Sequence, residues 1–279
     1  QQTGQRILEG YGLTEGTCAS SVNPARGESR IGSVGLRLPW QDMRVMILDE
    51  RGAWLRDAQV DEVGAICISG PNVFIGYLDS AHDQGAWFDT VALDGVSEQR
   101  WFNTGDLGRC DAEGYFWLTG RKKELIIRGG HNIEPKYIEE VLATHPDVAL
   151  CAAVGRPDAH AGEVPVAYVQ VRAGSAISSA QLLDYATRHI SERAAVPKAI
   201  ILADALPVTG VGKIFKPALV MAEIETVIRQ EAALLAIELQ EVRVVQSARQ
   251  GLVASYRCAD ETSRLAEALS RYTFVSERS

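Results

Sequence analysis

The spacing of apolar and polar residues changes twice along the chain. Between residues 31 and 118, short apolar stretches alternate with turn-forming residues: MRVMILDE precedes the turn RGAW, and GAICISG is a second strand-like stretch. The stretch LGRCDAEGYFWLTG predicts a hairpin, because strand residues flank the turn-forming residues 111–114. This first part is therefore predicted to be a β-rich subdomain.

After residue 120, helical and strand patterns alternate. PKYIEEVLATH predicts a helix that begins at Pro135, and SSAQLLDYATRHIS predicts a second helix whose start carries Ser178 and Gln181 in a capping-box arrangement. VALCAAVG, VPVAYVQV and KAIILAD predict three strands. The order helix, strand, strand, helix, strand is typical of a compact α+β domain.

The pattern changes again beyond residue 219. A helix over 222–236 is expected to precede the strands EVRVVQS and GLVASYRC, which a turn at 248–250 separates. A helix at 265–269 and the strand YTFV complete this small α/β appendage. It contains no glycine-rich loop or acidic cluster, so we interpret it as structural or regulatory. The fold class is thus α+β multidomain, with parts at 1–119, 120–219 and 220–279.

Composition narrows the functional classes. The chain has 279 residues, enough for two or three domains, and a net charge of −8, which argues against a nucleic-acid surface. No apolar run reaches the ~20 residues that span a bilayer. The five cysteines are scattered without a CxxC pair, so neither a zinc site nor a disulfide framework is indicated, and a cytoplasmic location is predicted. A chain that starts at Gln1 and enters a functional loop within ten residues is expected to be the tail of a longer protein.

Four glycine-marked loops stand out together: YGLTEGT, WFNTGDLG, GRKKELIIRGGHNIEP and PVTGVGKIFKPAL. Each loop alone is weak evidence for any family. In this order and spacing, the four loops resemble those of the adenylate-forming superfamily of acyl-CoA synthetases, adenylation domains and luciferases. The resemblance covers residues 7–219 and looks closest to bacterial fatty-acyl-CoA synthetases. It implies that 1–119 is the C-terminal part of a truncated large AMP-binding domain. Residues 120–219 would then be its mobile C-terminal domain.

The resemblance implies roles for the first loop. Tyr11 would offer its ring to adenine, and Gly12 belongs to the same ATP/AMP-binding set. Thr14 would donate its hydroxyl to the α-phosphate, and Glu15 would bind Mg²⁺, which bridges phosphate oxygens. The competing interpretations are a buried packing tyrosine and a solvated glutamate.

The second and third loops supply further nucleotide-binding groups. Asp106 presents two carboxylate oxygens that can accept both ribose hydroxyls, or it caps a turn. Arg121 lies where the family's arginine contacts ribose and phosphate; alternatively, it is a surface cation. Lys123 matches the interdomain hinge, where the backbone matters more than the side chain.

The last two loops are assigned to different steps. Gly129 and Gly130 permit positive φ and, by the resemblance, line the CoA channel. His131 is interpreted as a solvated loop residue, not as a base. Lys213 would be the catalytic cation of adenylation, or else it is a surface lysine: a charge ~4 Å from the reacting phosphate contributes about 4 kcal/mol at an effective dielectric of ~20. Lys216 is expected only to anchor the loop.

These assignments imply the C-terminal part of an ATP-dependent acyl-CoA synthetase that forms acyl-AMP and then acyl-CoA. The substrates would be ATP with Mg²⁺, CoA and a carboxylic acid, by resemblance a fatty acid of unspecified length. The Ser/Thr/Gly-rich phosphate loop and most of the acyl pocket are absent from these residues, so the fragment alone is expected to be inactive.

Two alternatives stay open: a carrier-protein-loading adenylation domain, although 220–279 holds no GGxS-like site, and a non-catalytic nucleotide-binding truncation product. Homo-oligomerisation is also left open, without a heptad pattern to support it.

Overall fold

The computed structural model describes residues 7–49, 51–91, 98–210, 212–247, 251–258 and 263–278. The chain divides into two compact units, Gln1–Lys123 and Glu124–Ser279. Helices and strands are mixed in the second unit, whereas the first is almost wholly β-structure. The predicted three-part domain layout stays a prediction beside this two-part division.

The described residues of the first unit form two antiparallel sheets. A small sheet has the order β1–β2–β3, and a larger one has the order β5–β4–β6–β8–β7, with β9 also paired to β8. The strands are β1 (Gly10–Tyr11), β2 (Ser21–Val22), β3 (Leu36–Arg37), β4 (Asp42–Leu48), β5 (Trp54–Asp57), β6 (Gly64–Ser69), β7 (Trp87–Val91), β8 (Glu98–Cys110) and β9 (Phe116–Arg121).

The predicted strands of this unit are confirmed. MRVMILDE covers all of β4 except its first residue, GAICISG contains β6, and the predicted hairpin is formed by β8 and β9. Every residue of β6 is buried, because the strand lies between β4 and β8 and its alternate side chains pack in two different core clusters. The apolar side chains of these strands build the core against which the first glycine-rich loop packs.

The second unit contains two sheets and four α-helices in its described residues. β10 to β14 form a five-stranded sheet of order β11–β10–β13–β12, with β14 parallel to β13, and β15 to β17 form a second sheet. The elements are β10 (Ile126–Arg128), β11 (His131–Ile133), α1 (Pro135–Ala143), β12 (Val148–Asp158), β13 (Gly162–Val171), α2 (Ser179–His189), β14 (Ala199–Leu202), α3 (Lys216–Leu234), β15 (Leu239–Ser247), β16 (Gly251–Cys258), α4 (Arg264–Leu269) and β17 (Val275–Arg278). The predicted start of α1 at Pro135 and the capping box of α2 are confirmed.

Both faces of the five-stranded sheet are covered, which explains the continuous apolar sequence of its central strands. Cys151 and Ala153 of β12 pack in one core cluster with the apolar sides of α1 and α2. Ala152 and Val154 point to the opposite face, where they pack with Leu219 of α3. None of the helices in the described ranges is both long and apolar enough to span a membrane.

Helix α3 begins six residues before the predicted start at 222 and ends at Leu234. Pro217 suits the first helical turn, because its missing N–H would have no partner there. The first half of α3 packs on the five-stranded sheet and its second half on the sheet of the appendage. The helix therefore runs through the predicted boundary at 219/220.

The last predicted strand, YTFV, is present but is placed three residues too early. Strand β17 begins only at Val275, whereas Tyr272 and Phe274 pack against the appendage core and stack on each other at 5.6 Å. The Tyr272 hydroxyl donates to Glu231 of α3 at 2.5 Å. Residues 272–274 have the apolar pattern of a strand because Tyr272 and Phe274 pack into the core, but they do so from a loop. The predicted turn at 248–250 lies outside the described residues.

A buried glutamate fastens α3 to the five-stranded sheet. Glu223 is 1% exposed; its Oε1 accepts the Tyr168 hydroxyl at 2.6 Å and its other oxygen pairs with Arg156. We expect Glu223→Ala to lower the free energy of unfolding by about 3 kcal/mol, since Arg156 and Tyr168 lose their partner in a buried setting.

Urea unfolding of both variants measures this effect. Glu225→Ala, on the same helix, is the matched control because the described structure records no ion pair or hydrogen bond for the Glu225 side chain. It should change stability by no more than about 0.5 kcal/mol. Equal stabilities for the two variants would contradict the role given to Glu223.

Candidate nucleotide site and catalytic lysine loop

The loop after β1 is held close to its own backbone. A Cβ on Gly12 would lie 1.6 Å from the carbonyl oxygen of Cys18, so no other residue fits at this position. The loop then makes a 3₁₀ turn at Thr14–Gly16, and the Ser20 N–H donates to the Tyr11 carbonyl at 2.8 Å. The structure thus gives Gly12 a packing reason, while its predicted contact with nucleotide stays a prediction.

Tyr11, Asp106 and Arg121 are brought together in the first unit. The Tyr11 hydroxyl donates to Asp106 Oδ2 at 2.6 Å, and Arg121 Nε donates to Asp106 Oδ1 at 2.9 Å. Asp106 and Arg121 are direct cross-strand partners in the β8–β9 hairpin. Each carboxylate oxygen is thus oriented by one protein donor.

The burial of this cluster is uneven. Asp106 is 8% exposed and Tyr11 9%, whereas the Arg121 side chain is 66% exposed. Burial, and then the bond to Asp106, raises the pKa of the Tyr11 hydroxyl far above its ordinary value, so it stays a donor. With most of its ring inside the core, Tyr11 is better placed to orient Asp106 than to offer a broad ring face; the predicted adenine stacking stays a prediction.

The backbone around Asp106 is also fixed. Its N–H donates to Thr104 Oγ1 at 3.2 Å, and that hydroxyl donates to the Ile66 carbonyl at 2.8 Å. Gly105 has φ of +77°, a conformation that favours glycine. The TGD sequence therefore forms a local kink in β8 that presents the Asp106 carboxylate.

Glu15 and Thr14 lie on the 3₁₀ turn. Glu15 Oε1 accepts the Tyr77 hydroxyl at 2.8 Å, and burial followed by this bond raises the pKa of Tyr77 to about 12. The Phe74 N–H donates to the Glu15 carbonyl at 2.8 Å, and the Asn72 side-chain amide donates to the Gly16 carbonyl at 3.0 Å. Residues 72–77 therefore stabilise the turn. Tyr77 was missed in the sequence analysis, because it lies 62 positions from Glu15 with no motif of its own.

Two oxygen atoms of the turn have no hydrogen-bond partner in the described structure, and one of them belongs to the predicted Mg²⁺ ligand Glu15. Among the described residues, Glu15 Oε2 and the exposed Thr14 hydroxyl make no hydrogen bond. No cluster of three or more metal-binding side chains occurs in the part of the chain that the structure describes. Mg²⁺ is commonly held by one or two carboxylates together with phosphate oxygens and water, so Glu15 could supply one ligand.

Lys213 lies in a loop of the second unit that is closed on itself. The Thr209 N–H donates to the Lys213 carbonyl at 2.7 Å, and the Phe215 N–H donates to the Pro207 carbonyl at 2.7 Å. The Lys213 side chain is exposed and makes no hydrogen bond or ion pair within the described ranges. The amine is free to meet a charged ligand, and its catalytic role stays a prediction.

Gly129 and Gly130 form the two-residue turn between β10 and β11. Their φ values are +55° and +86°, as the glycine pair predicts, and both Cβ positions face open space. Positive φ at both turn positions is the geometry that a tight hairpin prefers. The hairpin alone explains these glycines, so their assignment to the CoA channel is still a prediction.

Lys123 is exposed in the 3₁₀ turn Lys122–Glu124. The division between the two compact units falls directly after it. Its hinge role stays a prediction. Lys216, three residues after Lys213, makes two ion pairs, with Glu124 and Glu139, that the sequence analysis did not foresee.

Comparison with protein families gives two matches. The family described as AMP-binding enzyme matches residues 1–78, and the family described as AMP-binding enzyme C-terminal domain matches residues 137–213. The two matches occur in the chain in that order and in different compact units.

Among curated proteins, the marinolic acid–CoA ligase of Pseudoalteromonas sp. (strain SANK 73390) is 48% identical over 216 residues, which is 77% of this chain and 32% of that protein. The long-chain-fatty-acid–CoA ligase of Bacillus subtilis (strain 168) is 35% identical over 223 residues, covering 80% of this chain and 37% of the relative. Among solved structures, ATP-bound MatB from Rhodopseudomonas palustris superposes with a TM-score of 0.68 at 34% identity, covering 78% of this chain and 41% of that one. The chain thus spans about a third to two fifths of the length of these relatives.

Proposed function

Because this chain belongs to the AMP-binding enzymes, the adenylate-forming superfamily, we propose that it is the C-terminal part of an ATP-dependent acyl-CoA synthetase. In the first step a carboxylate oxygen attacks the α-phosphorus of ATP, which gives acyl-AMP and releases pyrophosphate. In the second step the CoA thiol attacks the acyl carbonyl, and AMP leaves. The whole reaction is that of an acid–thiol ligase.

The observation that carries this proposal is the Tyr11–Asp106–Arg121 cluster. A carboxylate oxygen can accept more than one hydrogen bond, so Asp106 can bind the two ribose hydroxyls while Tyr11 and Arg121 hold it in place. Arg121 uses only its Nε here among the described contacts, which leaves the remaining guanidinium N–H groups for phosphate. An oriented buried acceptor beside an exposed cation suits a nucleoside monophosphate.

Thr14 and Glu15 would act at the phosphates. The Thr14 hydroxyl, exposed on the 3₁₀ turn, would donate to an α-phosphate oxygen. Glu15, held by Tyr77, would supply a carboxylate oxygen to Mg²⁺. The bound ion would lower the charge of the phosphates and favour departure of pyrophosphate.

Lys213 would serve the first step alone. Its ammonium group would bind where negative charge increases on the α-phosphate and the attacking carboxylate oxygen. For the second step, a rotation at Lys123 would withdraw the Lys213 loop and bring the Gly129–Gly130 turn to line the path of CoA. The division of the chain directly after Lys123 supports a hinge at this place.

The acyl substrate is proposed to be a fatty acid or a related long carboxylic acid. One relative is named for marinolic acid and another for long-chain fatty acids, and both names specify CoA as the acceptor. The CoA ligase names favour free CoA over a carrier protein. Intact Glu15, Asp106, Arg121 and Lys213 favour an enzyme over a non-catalytic truncation product.

Carboxylate-dependent exchange of pyrophosphate into ATP tests the proposal. A longer enzyme that contains residues 1–279 should catalyse this exchange with a fatty acid, whereas residues 1–279 alone should show none above background. The reason is that the phosphate loop and most of the acyl pocket are absent from these residues. Robust exchange by residues 1–279 alone would contradict the proposed inactivity of the fragment.

A further inference from the structure

Lys216 connects three segments that are distant in the sequence. Its Nζ lies 3.1 Å from Glu124 Oε2 and 2.9 Å from Glu139 Oε1, and the Lys216 side chain is 18% exposed. Glu124 directly follows the predicted hinge residue Lys123, and Glu139 lies on α1. Lys216 itself is the first residue of α3 and follows Lys213 by three positions.

The three charges form one persistent cluster. Burial alone lowers the pKa of Lys216, but the carboxylates of Glu139 and Glu124 outweigh it and raise the pKa, so the ammonium stays charged. Glu139 Oε1 also accepts the Ala153 N–H of β12 at 2.8 Å, which fixes this carboxylate to the five-stranded sheet. Hydrogen bonds between charged groups are stronger than those between neutral groups. The cluster therefore holds the start of α3 at a defined point of the second unit.

The position of Lys213 depends on where the start of α3 is held. The loop from Pro207 to Phe215 is closed by its own backbone hydrogen bonds and by the bridge between Val208 and Ile214. The Lys213 side chain has no partner among the described residues that would fix it directly. The loop is fixed at its ends, where Leu206 is buried and Lys216 is paired.

We propose that Lys216 is a positioning residue for adenylation: it ties the Lys213 loop to Glu124, so that the loop and the segment directly after the hinge move as one body. This inference rests on the proposed function. Lys216 does not touch the reacting atoms and acts through the placement of the Lys213 ammonium. The second step, which does not use Lys213, should be insensitive to Lys216.

The test compares Lys216→Met with Lys216→Arg in the full-length enzyme. Methionine keeps most of the length of the side chain and removes the charge, whereas arginine keeps the charge on a longer side chain. We expect Lys216→Met to slow pyrophosphate exchange roughly 100-fold, the cost of misplacing a catalytic group by about 1 Å, while thioester formation from supplied acyl-AMP changes less than about threefold. Lys216→Arg should keep most of the exchange activity, and Glu124→Gln should give an intermediate loss.

Hydrogen exchange in residues 1–279 supplies a readout that does not depend on activity. Lys216→Met should speed exchange of the Thr209 and Phe215 amides at least about tenfold, while the amides of β12 stay protected. Unchanged exchange there would overturn the inference, as would equal losses in both half-reactions, since a merely structural residue would affect both. A wild-type enzyme without adenylation activity would refute the proposed function itself. An active wild type with an equally active Lys216→Met would refute only the role of Lys216.

Discussion

Replacing Lys213 by alanine in the full-length enzyme should slow the adenylation half-reaction by roughly 1000-fold. One cation about 4 Å from the developing charge contributes about 4 kcal/mol at an effective dielectric of ~20, which corresponds to this factor in rate. Thioester formation from supplied acyl-AMP should stay within about threefold of the wild type, because the displacement of AMP by CoA needs no charge from Lys213. The measurement is pyrophosphate exchange beside single-turnover thioester formation.

Lys198→Ala is the matched control for this loss. Lys198 is an exposed lysine of the same unit and lies outside the four glycine-marked loops. It should leave both half-reactions unchanged. Adenylation by Lys213→Ala within about threefold of the wild-type rate would remove Lys213 from the catalytic assignment.

Replacing Asp106 by alanine should weaken nucleotide binding about 100-fold or more. In the proposed complex, the variant would lose two hydrogen bonds that the ribose hydroxyls donate to the charged carboxylate, each contributing about 1.5–3 kcal/mol. It also releases the Tyr11 hydroxyl and the Arg121 guanidinium, which Asp106 holds at 2.6 and 2.9 Å. Calorimetric titration of the full-length enzyme with AMP measures the change.

Tyr11→Phe separates orientation of the carboxylate from contact with the ribose. It removes one donor to Asp106 but leaves the carboxylate, so the affinity for AMP should fall only about threefold to tenfold, the effect of one hydrogen bond. Urea unfolding of Asp106→Ala shows whether the protein is still folded. A folded Asp106→Ala variant with wild-type affinity for AMP would mean that the ribose is bound elsewhere.

The meeting of Asp106 and Arg121 illustrates what the sequence could and could not predict. The turn residues at 111–114 predict the β8–β9 hairpin, and the hairpin is confirmed. The pairing near the turn joins Gly108 with Leu118, and the same register would place Asp106 opposite Gly120, which has no side chain. A register shift between Leu107 and Gly108 places Asp106 opposite Arg121 instead. Such a bulge depends on packing of the whole sheet, so the turn residues cannot reveal it.

The sequence also could not predict contacts between segments that are distant along the chain. The loop motif indicated Glu15 as a metal ligand, yet Tyr77, which orients it, is 62 positions away. The position of Lys216 beside Lys213 suggested an anchor, while its partners Glu124 and Glu139 follow only from the fold. Sequence patterns predict helices, strands and loops well because capping, turn formation and the spacing of apolar residues involve neighbours in the chain. Pairs of charges across a domain arise only when tertiary packing brings them together.

Isotope transfer from the carboxylate substrate tests the central claim most directly. The full-length enzyme is given ATP, CoA, Mg²⁺ and a fatty acid labelled with ¹⁸O in its carboxyl group, and the phosphorus-containing products are analysed by mass spectrometry. If a carboxylate oxygen attacks the α-phosphorus, the released AMP carries one labelled oxygen and the pyrophosphate carries none. Label in inorganic phosphate, with ADP as the nucleotide product, would mean that an acyl phosphate is formed and would contradict the account.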